Sequence, residues 1–401
     1  MSAVSESPIH GSELPALADQ ARAGARLAID TEFMGEGRYR TLLCLVQIAV
    51  PDAAGENGVR IEVVDPLDER VDPAPLAAML ADPAVEVVMH AARQDVALLR
   101  RVWRTEITNL FDTQVAAGFA GLRAQAGYES LLGEVLGVRL PKTASYTKWD
   151  RRPLSGEQIG YAREDVLHLF ALADALQDRL RAHGRLEWAR EECRALETIS
   201  DERDLDTIFD RLPRISGLDA RSRAVARELV EWRESLAANQ DRPVQSVLAD
   251  AALVELAKRK PDSRRALENI RGINPGNLRR RGDDILEAIV RGLDREPVPF
   301  EGERRPATHP GDGPLIALSE SLVRSRVAEA ELAYELVASR ADLQAVVSAV
   351  RGGGEADVRT LRGWRRELVG EELLALLRGE RMLAVTGPGL RVSVTSAVGG
   401  G

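Results

Sequence analysis

The sequence predicts an α/β domain followed by two all-α helical units, and three observations carry that reading. Three apolar runs near the N-terminus lie too close together for crossover helices, so they should pair as an antiparallel meander. From there to about residue 200, strand-like and helix-like runs alternate, as expected for helices packed on a sheet. Beyond that point the strand pattern stops, and short helical stretches with Pro and Gly at their joins take over. At 401 residues the chain exceeds one ordinary domain. The expected division is residues 1–200 for the α/β domain, 211–295 for the first helical unit, 296–314 for a linker, 315–383 for the second unit and 384–401 for a tail.

Taken in order, "RLAIDTEF", "LLCLVQIAV" and "VRIEVVDP" are the three meander strands. "PAPLAAMLAD" is a short helix, "VEVVMHA" a strand and "RQDVALLRRVW" a helix. "NLFDTQVAAGFAG" and "SLLGEVLG" are helical or mixed, and residues 156–183 form one long helix. "SRAVARELVEWRESLAANQ", "PVQSVLADAALVELAKRK", "SRRALENI" and "GDDILEAIVRGL" build the first helical unit. The run "EPVPFEGERRPATHPGDGP" is rich in Pro, Gly and charge, as linkers are. The last stretch, "VTGPGLRVSVTSAVGGG", is a tail that frays at least at its glycine end. Trp232-Arg233-Glu234 and Trp364-Arg365-Arg366 each follow a helical stretch, which suggests that the two units are divergent copies.

Composition narrows the function. The 44% hydrophobic content is that of a globular protein, and no run approaches the length of a membrane span. The N-terminus lacks a basic segment followed by an apolar one, which argues against secretion and for the cytoplasm. The two cysteines, Cys44 and Cys193, lie far apart with no metal-ligand spacing, in keeping with a reducing compartment. Net charge is −9, yet residues 211–295 carry 18 Lys and Arg against 13 Asp and Glu, a local +5. That is a modest hint of phosphate contact. Arg is abundant throughout the chain, however, so part of the signal is general composition.

The chemistry is carried by acids at the ends of apolar elements. In "LAIDTEF", Asp30 and Glu32 stand at i and i+2, on one face of a strand, where they repel each other. Asp95 shares a helical stripe with Leu98, Leu99 and Val102, and Asp165 shares one with Leu169, Leu172 and Leu176. A core-facing acid must be paired, hydrogen-bonded or on a metal. Any one of these could simply complement a helix dipole or end in a polar turn. Four together are better explained by a shared purpose, since clustered carboxylates become favourable around divalent cations. Hard oxygen ligands without clustered His or Cys point to Mg²⁺ or Mn²⁺. Tyr161, one turn before Asp165, would project toward the same place and could orient a water. Two metal ions clamping the attacking and leaving oxygens would perform hydrolytic phosphoryl transfer.

These motifs resemble a known family. Asp30-Thr31-Glu32-Phe33, then "HAARQDVALL" from His90 to Asp95 and beyond, then "YAREDV" from Tyr161, are similar to the three motifs of the DEDDy 3′→5′ exonucleases. "DTEF…CLVQIA", "VMHAARQDVALL", "NLFDTQVAA" and "RRPLSGEQIGYAREDV" resemble the ribonuclease D branch. The basic helical unit resembles the helicase-and-RNase-D C-terminal (HRDC) domain, and "LRGWRRELVGEELLALLRGERML" resembles a second such unit. One departure is Lys148 directly before Trp149, where relatives more often carry Asp.

The resemblance implies a ribonuclease-H-like exonuclease domain and two HRDC-type domains. It implies that Asp30, Glu32, Asp95 and Asp165 bind two divalent ions and that Tyr161 positions the nucleophilic water. It also implies removal of nucleotides from RNA 3′ ends, tRNA precursors among them, with release of nucleoside 5′-monophosphates. Thr31, Phe33, Tyr39, His90 and Trp149 are candidate substrate contacts around the site. Phe33 and Tyr39 could stack on terminal bases, although Phe33 should alternate away from the Asp30 face and a lone histidine at a strand end is commonly structural. Arg279, Arg280 and Arg281, after the "GINPGN" turn, could track phosphates or form a solvated face. Two rivals stand beside the exoribonuclease: a DNA exonuclease of the kind attached to RecQ-type helicases, and a non-catalytic RNA-binding scaffold. Separate nuclease and binding units in one chain suggest a monomer.

Overall fold

The computed structural model describes residues 13–140, 148–273, 275–300, 309–388 and 391–396. Its N-terminal part is built on a five-stranded sheet with helices on both faces. Strands β1 (Arg26–Met34), β2 (Leu42–Glu56) and β3 (Val59–Val64) form the expected antiparallel meander. Strands β4 (Glu86–Met89) and β5 (Leu110–Asp112) then add in parallel on the far side of β1, giving the order β3-β2-β1-β4-β5. The change from antiparallel to parallel follows from chain length: short connections without helices join the first three strands, and helices join the rest.

Strand β1 therefore lies at the centre of the sheet, and its two faces see different helices. Leu27 and Ile29 pack toward α1 (Leu14–Gly24), α2 (Ala74–Leu80) and α3 (Arg93–Trp103). Ala28 packs toward α4 (Thr113–Phe119), α5 (Tyr128–Leu131) and α7 (Leu169–Ala182). The period of two carries Asp30 and Glu32 onto the Ala28 face and Thr31 onto the other. Helix α6 (Gly156–Leu167) lies across β1, β2 and β3 on the Asp30 face, and α8 (Leu186–Glu197) follows α7.

Several elements depart from the sequence reading. Helix α1 was not foreseen; its apolar positions Leu14, Leu17, Ala18 and Ala21 are buried. The long helix expected over 156–183 is interrupted at His168, which leaves helical geometry, and α7 restarts after that one residue. Val102 ends the α3 stripe 39% exposed, because the helix runs out of the core there.

The first helical unit contains α9 (Leu205–Asp210), α10 (Ala220–Asn239), α11 (Val244–Val247), α12 (Asp250–Arg259), α13 (Arg264–Leu267) and α14 (Pro275–Asp294), with its own core. In the second, α15 (Asp312–Glu329), α16 (Tyr334–Val337) and α17 (Arg340–Arg351) repeat the α10–α11–α12 pattern, the short helices lying 90 residues apart. Asp241 and Glu331 occupy matching left-handed turn positions, φ 44° and 50°. The repeat thus lies in these helices, not in the two tryptophans: Trp232 is inside α10, whereas Trp364 belongs to the later α18 (Gly363–Arg365).

After α19 (Glu371–Leu377) the chain does not simply end in a frayed tail. Arg381–Thr386 (β6) and Arg391–Ser396 (β7) pair as an antiparallel hairpin. The glycine-rich end, most of the 296–314 linker's centre and residues 1–12 fall outside the described residues.

Candidate active site

The four acids arrive from three elements. Asp30 and Glu32 come from β1, where a bulge after Glu32 shifts the register with β2. Asp95 stands in the first turn of α3 and is buried, 7% exposed. Asp165 comes from α6, one turn after Tyr161.

Each element is anchored near its acid. The turn before α3 passes through Ala91, at φ 55°, and the Ala91 and Ala92 amides donate to Asp112 at 3.1 and 2.8 Å. The same carboxylate caps α4 by accepting from the Gln114 and Val115 amides. Buried Asp112 thus ties the start of α3 to the end of β5. Sequence reasoning missed this role, although the helix-capping pattern in "FDTQ" was visible. Helix α6 starts with a capping box: Ser155 accepts from the Gln158 amide at 3.2 Å, and the Gln158 side chain accepts from the Ser155 amide at 3.0 Å.

Just before that cap, Arg152 acts as a clamp that sequence reasoning also missed. Its guanidinium forks onto Asp65 and donates to the Cys44 carbonyl and the Trp149 carbonyl, each at 2.7 Å. Trp149 is consequently buried, 3% exposed, with its ring 6.1 Å from that of Tyr161. It supports Tyr161 from inside the protein and is not a surface for substrate.

Electrostatically the acids form one group. Burial, followed by Asp95, Asp165 and Glu32, pushes Asp30 well above the carboxylate range. Burial, then Asp165 and Asp95, pushes Glu32 up to about 8. Asp165 is raised to about 7 by burial and then Glu164. Asp95 is raised to about 6, chiefly by burial, while the Thr31 hydroxyl opposes the shift by donating to it. No basic side chain among the described residues offsets any of the four. Burial and the neighbouring acids also raise Tyr161, which keeps its phenol protonated and able to donate.

Such a donor set, all hard oxygen and starved of positive charge, suits divalent Mg²⁺ or Mn²⁺. It is gathered rather than closed. Among the described residues, no three His, Cys, Asp or Glu side chains converge into a ready-made ligand cage.

The remaining candidates separate. Thr31 is buried against Asp95, so it holds an acid and cannot touch substrate. His90 is half-buried, its Nδ1 2.9 Å from the Thr113 hydroxyl and its ring against Tyr128, and burial lowers its pKa; these are structural partners. Tyr39 lies away from the acids, donating to Glu234 of the first helical unit at 3.0 Å, with Arg203 and Arg40 over its ring. Its place is a junction between domains and not a base-stacking platform. Phe33, by contrast, lines a cleft of about 210 Å³ with Thr41, Arg93, Gln94, Ala97, Leu98, Ile199 and Asp201. Arg279, Arg280 and Arg281 lie inside α14 rather than beyond a turn. Arg279 and Arg280 are exposed, while Arg281 is buried and donates to Gln240 at 2.7 Å, which removes it from any phosphate track.

Comparison with known proteins agrees with the fold and its order of domains. Residues 10–181 match the family model for a 3′-5′ exonuclease, and residues 222–289 match that for the HRDC domain. A ribonuclease D of Granulibacter bethesdensis is 35% identical over 388 residues, spanning 96% of this chain and 95% of that protein. A ribonuclease D of Gluconacetobacter diazotrophicus is 36% identical over 380 residues, spanning 94% and 93%. Among solved structures, Escherichia coli RNase D, described as an exoribonuclease involved in structured RNA processing, superposes with a TM-score of 0.78 at 27% identity, covering 92% of this chain and 98% of that one. A protein from Bifidobacterium adolescentis shares the fold, with a TM-score of 0.66 at 22% identity over 93% and 97% of the two chains.

Proposed function

The chain belongs to the ribonuclease D family and is a 3′-5′ exoribonuclease, and we propose that it trims structured RNA, tRNA precursors among them, with Asp30, Glu32, Asp95, Asp165 and Tyr161 as its catalytic set. The observation that carries this reading is the gathering of four largely buried carboxylates, Asp30 and Glu32 raised by burial and by Asp95 and Asp165, with no basic side chain among the described residues offsetting them. Two divalent ions held by these acids would supply Lewis acidity toward the attacking water and the departing 3′ oxygen.

The chain's own groups do the rest. Tyr161, protonated and backed by Trp149, donates its phenol hydrogen to the incoming water and orients it. Thr31 fixes the Asp95 carboxylate. The Phe33 cleft, with Arg93 and Gln94 at its rim, suits the base and phosphate of the last nucleotide. Exposed Arg279 and Arg280 supply positive charge farther along the strand. Products would be nucleoside 5′-monophosphates, with the chain acting as a monomer.

Incubation of the protein with 5′-labelled RNA and DNA, each with a free or blocked 3′ end, tests the reading. Stepwise shortening of RNA with a free 3′ end, and loss of that shortening in Asp165→Ala, is expected. Shortening of DNA alone would support the RecQ-associated type of enzyme. Binding of RNA without shortening under Mg²⁺ or Mn²⁺ would support a scaffold.

A further inference from the structure

Gln47 sits on β2 directly across from Asp30 in the β1–β2 ladder and across from Val63 on its other side. Directly opposed residues in an antiparallel pair share a face, with Cβ atoms about 4.5–5.5 Å apart. Gln47 therefore lies beside Asp30, on the face covered by the helix that brings Tyr161 and Asp165. Its same-face neighbours on β2 are apolar and packed: Leu45 against Trp149, Ile159 and Ala162, and Ala49 in the main core. Gln47 itself is fully buried, and neither its amide nitrogen nor its amide oxygen has a hydrogen-bond partner. Protein interiors rarely leave both ends of an amide unmet. An apolar side chain of the same volume would fill this position at lower cost. The amide is therefore expected to be used in a state of the site other than this one.

We infer that Gln47 is a positioning residue for the acid cluster: its amide N–H is the donor that the Asp30 carboxylate takes up when a divalent cation is bound, fixing the orientation of that carboxylate. This rests on Asp30 being a metal ligand, as proposed above. The parallel with Thr31 is direct, because that hydroxyl already serves Asp95 from the opposite face of the sheet. Each central acid would then have one neutral donor behind it. Neutral donors are what such a site requires, since a basic partner would compete with the metal for the carboxylate.

The test uses the full-length protein with Gln47→Met and Gln47→Leu, both close in volume to glutamine, and Asp30→Asn as the reference for a lost ligand. Three readouts are taken: Mn²⁺ affinity by calorimetry, the thermal midpoint in chelator, and kcat and KM on RNA. Mn²⁺ affinity in both Gln47 variants should weaken by about 10-fold or more. Their kcat should fall with KM for RNA unchanged, and their midpoint in chelator should equal or exceed that of the wild type. That last sign separates the two roles, since removing an amide that supports the fold lowers the midpoint. An unchanged Mn²⁺ affinity, or a lowered midpoint, overturns the assignment. If the wild type binds no Mn²⁺, the metal-site reading fails and takes this one with it. If the wild type binds and both variants match it, only the role of Gln47 falls.

Discussion

At the scale of single residues, the site holds its charge in tension. A carboxyl whose pKa is raised on folding keeps its proton to higher pH in the folded chain than in the unfolded one. For Glu32, shifted from 4.5 to about 8, the folded state therefore binds more protons throughout that window. Stability must then fall as pH rises across it. The melting temperature of the metal-free protein should decline from pH 5 to pH 8, and Glu32→Gln should flatten that decline and raise the midpoint at pH 8. Saturating Mg²⁺ should oppose it, because the ion binds only the folded site. Thr31→Val keeps the shape but removes the hydroxyl that holds Asp95. Metal affinity in calorimetry should drop by about 10–100-fold, with little change in fold. The acids were legible in the sequence because an acid ending an apolar element breaks a rule. Thr31 was legible only as a neighbour, since its bond to Asp95 spans 64 residues, and Tyr39 was misread because its partner Glu234 is farther still.

At the scale of elements, precision comes from how each acid-bearing segment is tied down. The capping box of α6 could be read from "SGEQ", since a cap is a local pattern. The Arg152 clamp could not, because its acceptors on Asp65 and Cys44 become neighbours only after the sheet forms. Arg152→Ala should loosen Trp149 and misplace Tyr161. Turnover should fall on the order of 10–100-fold while RNA affinity by filter binding holds. The interruption at His168 was hidden for another reason: α7 resumes at once, with the Leu172 amide bonding back to the His168 carbonyl, so the apolar period barely slips. The terminal hairpin was hidden by its glycines and its exposed strands, which carry almost no burial pattern.

At the scale of the whole molecule, the two helical units are attached in different ways. The second shares one continuous core with the nuclease domain. Trp364 is its pin: 1% exposed, it packs edge-on to Phe119, stacks on Trp188, and donates to Glu192 at 2.9 Å. Trp364→Ala should cost about 3–5 kcal/mol in urea denaturation. The first unit is held mainly by polar contacts to the loop after β1. Arg38 and the Tyr39 amide meet Asp241, and the Tyr39 hydroxyl and Arg203 meet Glu234. The Arg38–Asp241 pair is solvent-exposed and should weaken with salt, whereas Arg203–Glu234 is sheltered by the buried Glu234. Arg38→Ala combined with Tyr39→Phe should raise the radius of gyration in small-angle scattering at high salt and leave the second unit protected from hydrogen exchange. An unchanged scattering curve would contradict that division. The order of domains was legible from where strand patterning stops. Their docking was not, because it depends on single side chains meeting across more than a hundred residues.

All three scales meet at the acid cluster, and a Mn²⁺ titration followed by electron paramagnetic resonance interrogates it. The wild type should bind Mn²⁺ more tightly as pH rises from 6 to 8 and the raised carboxyls lose their protons. Asp30→Asn and Asp165→Asn should lose that binding together with RNA shortening. Shortening that persists in chelator, or Mn²⁺ binding that survives both substitutions unchanged, would show that these four acids are not the metal site.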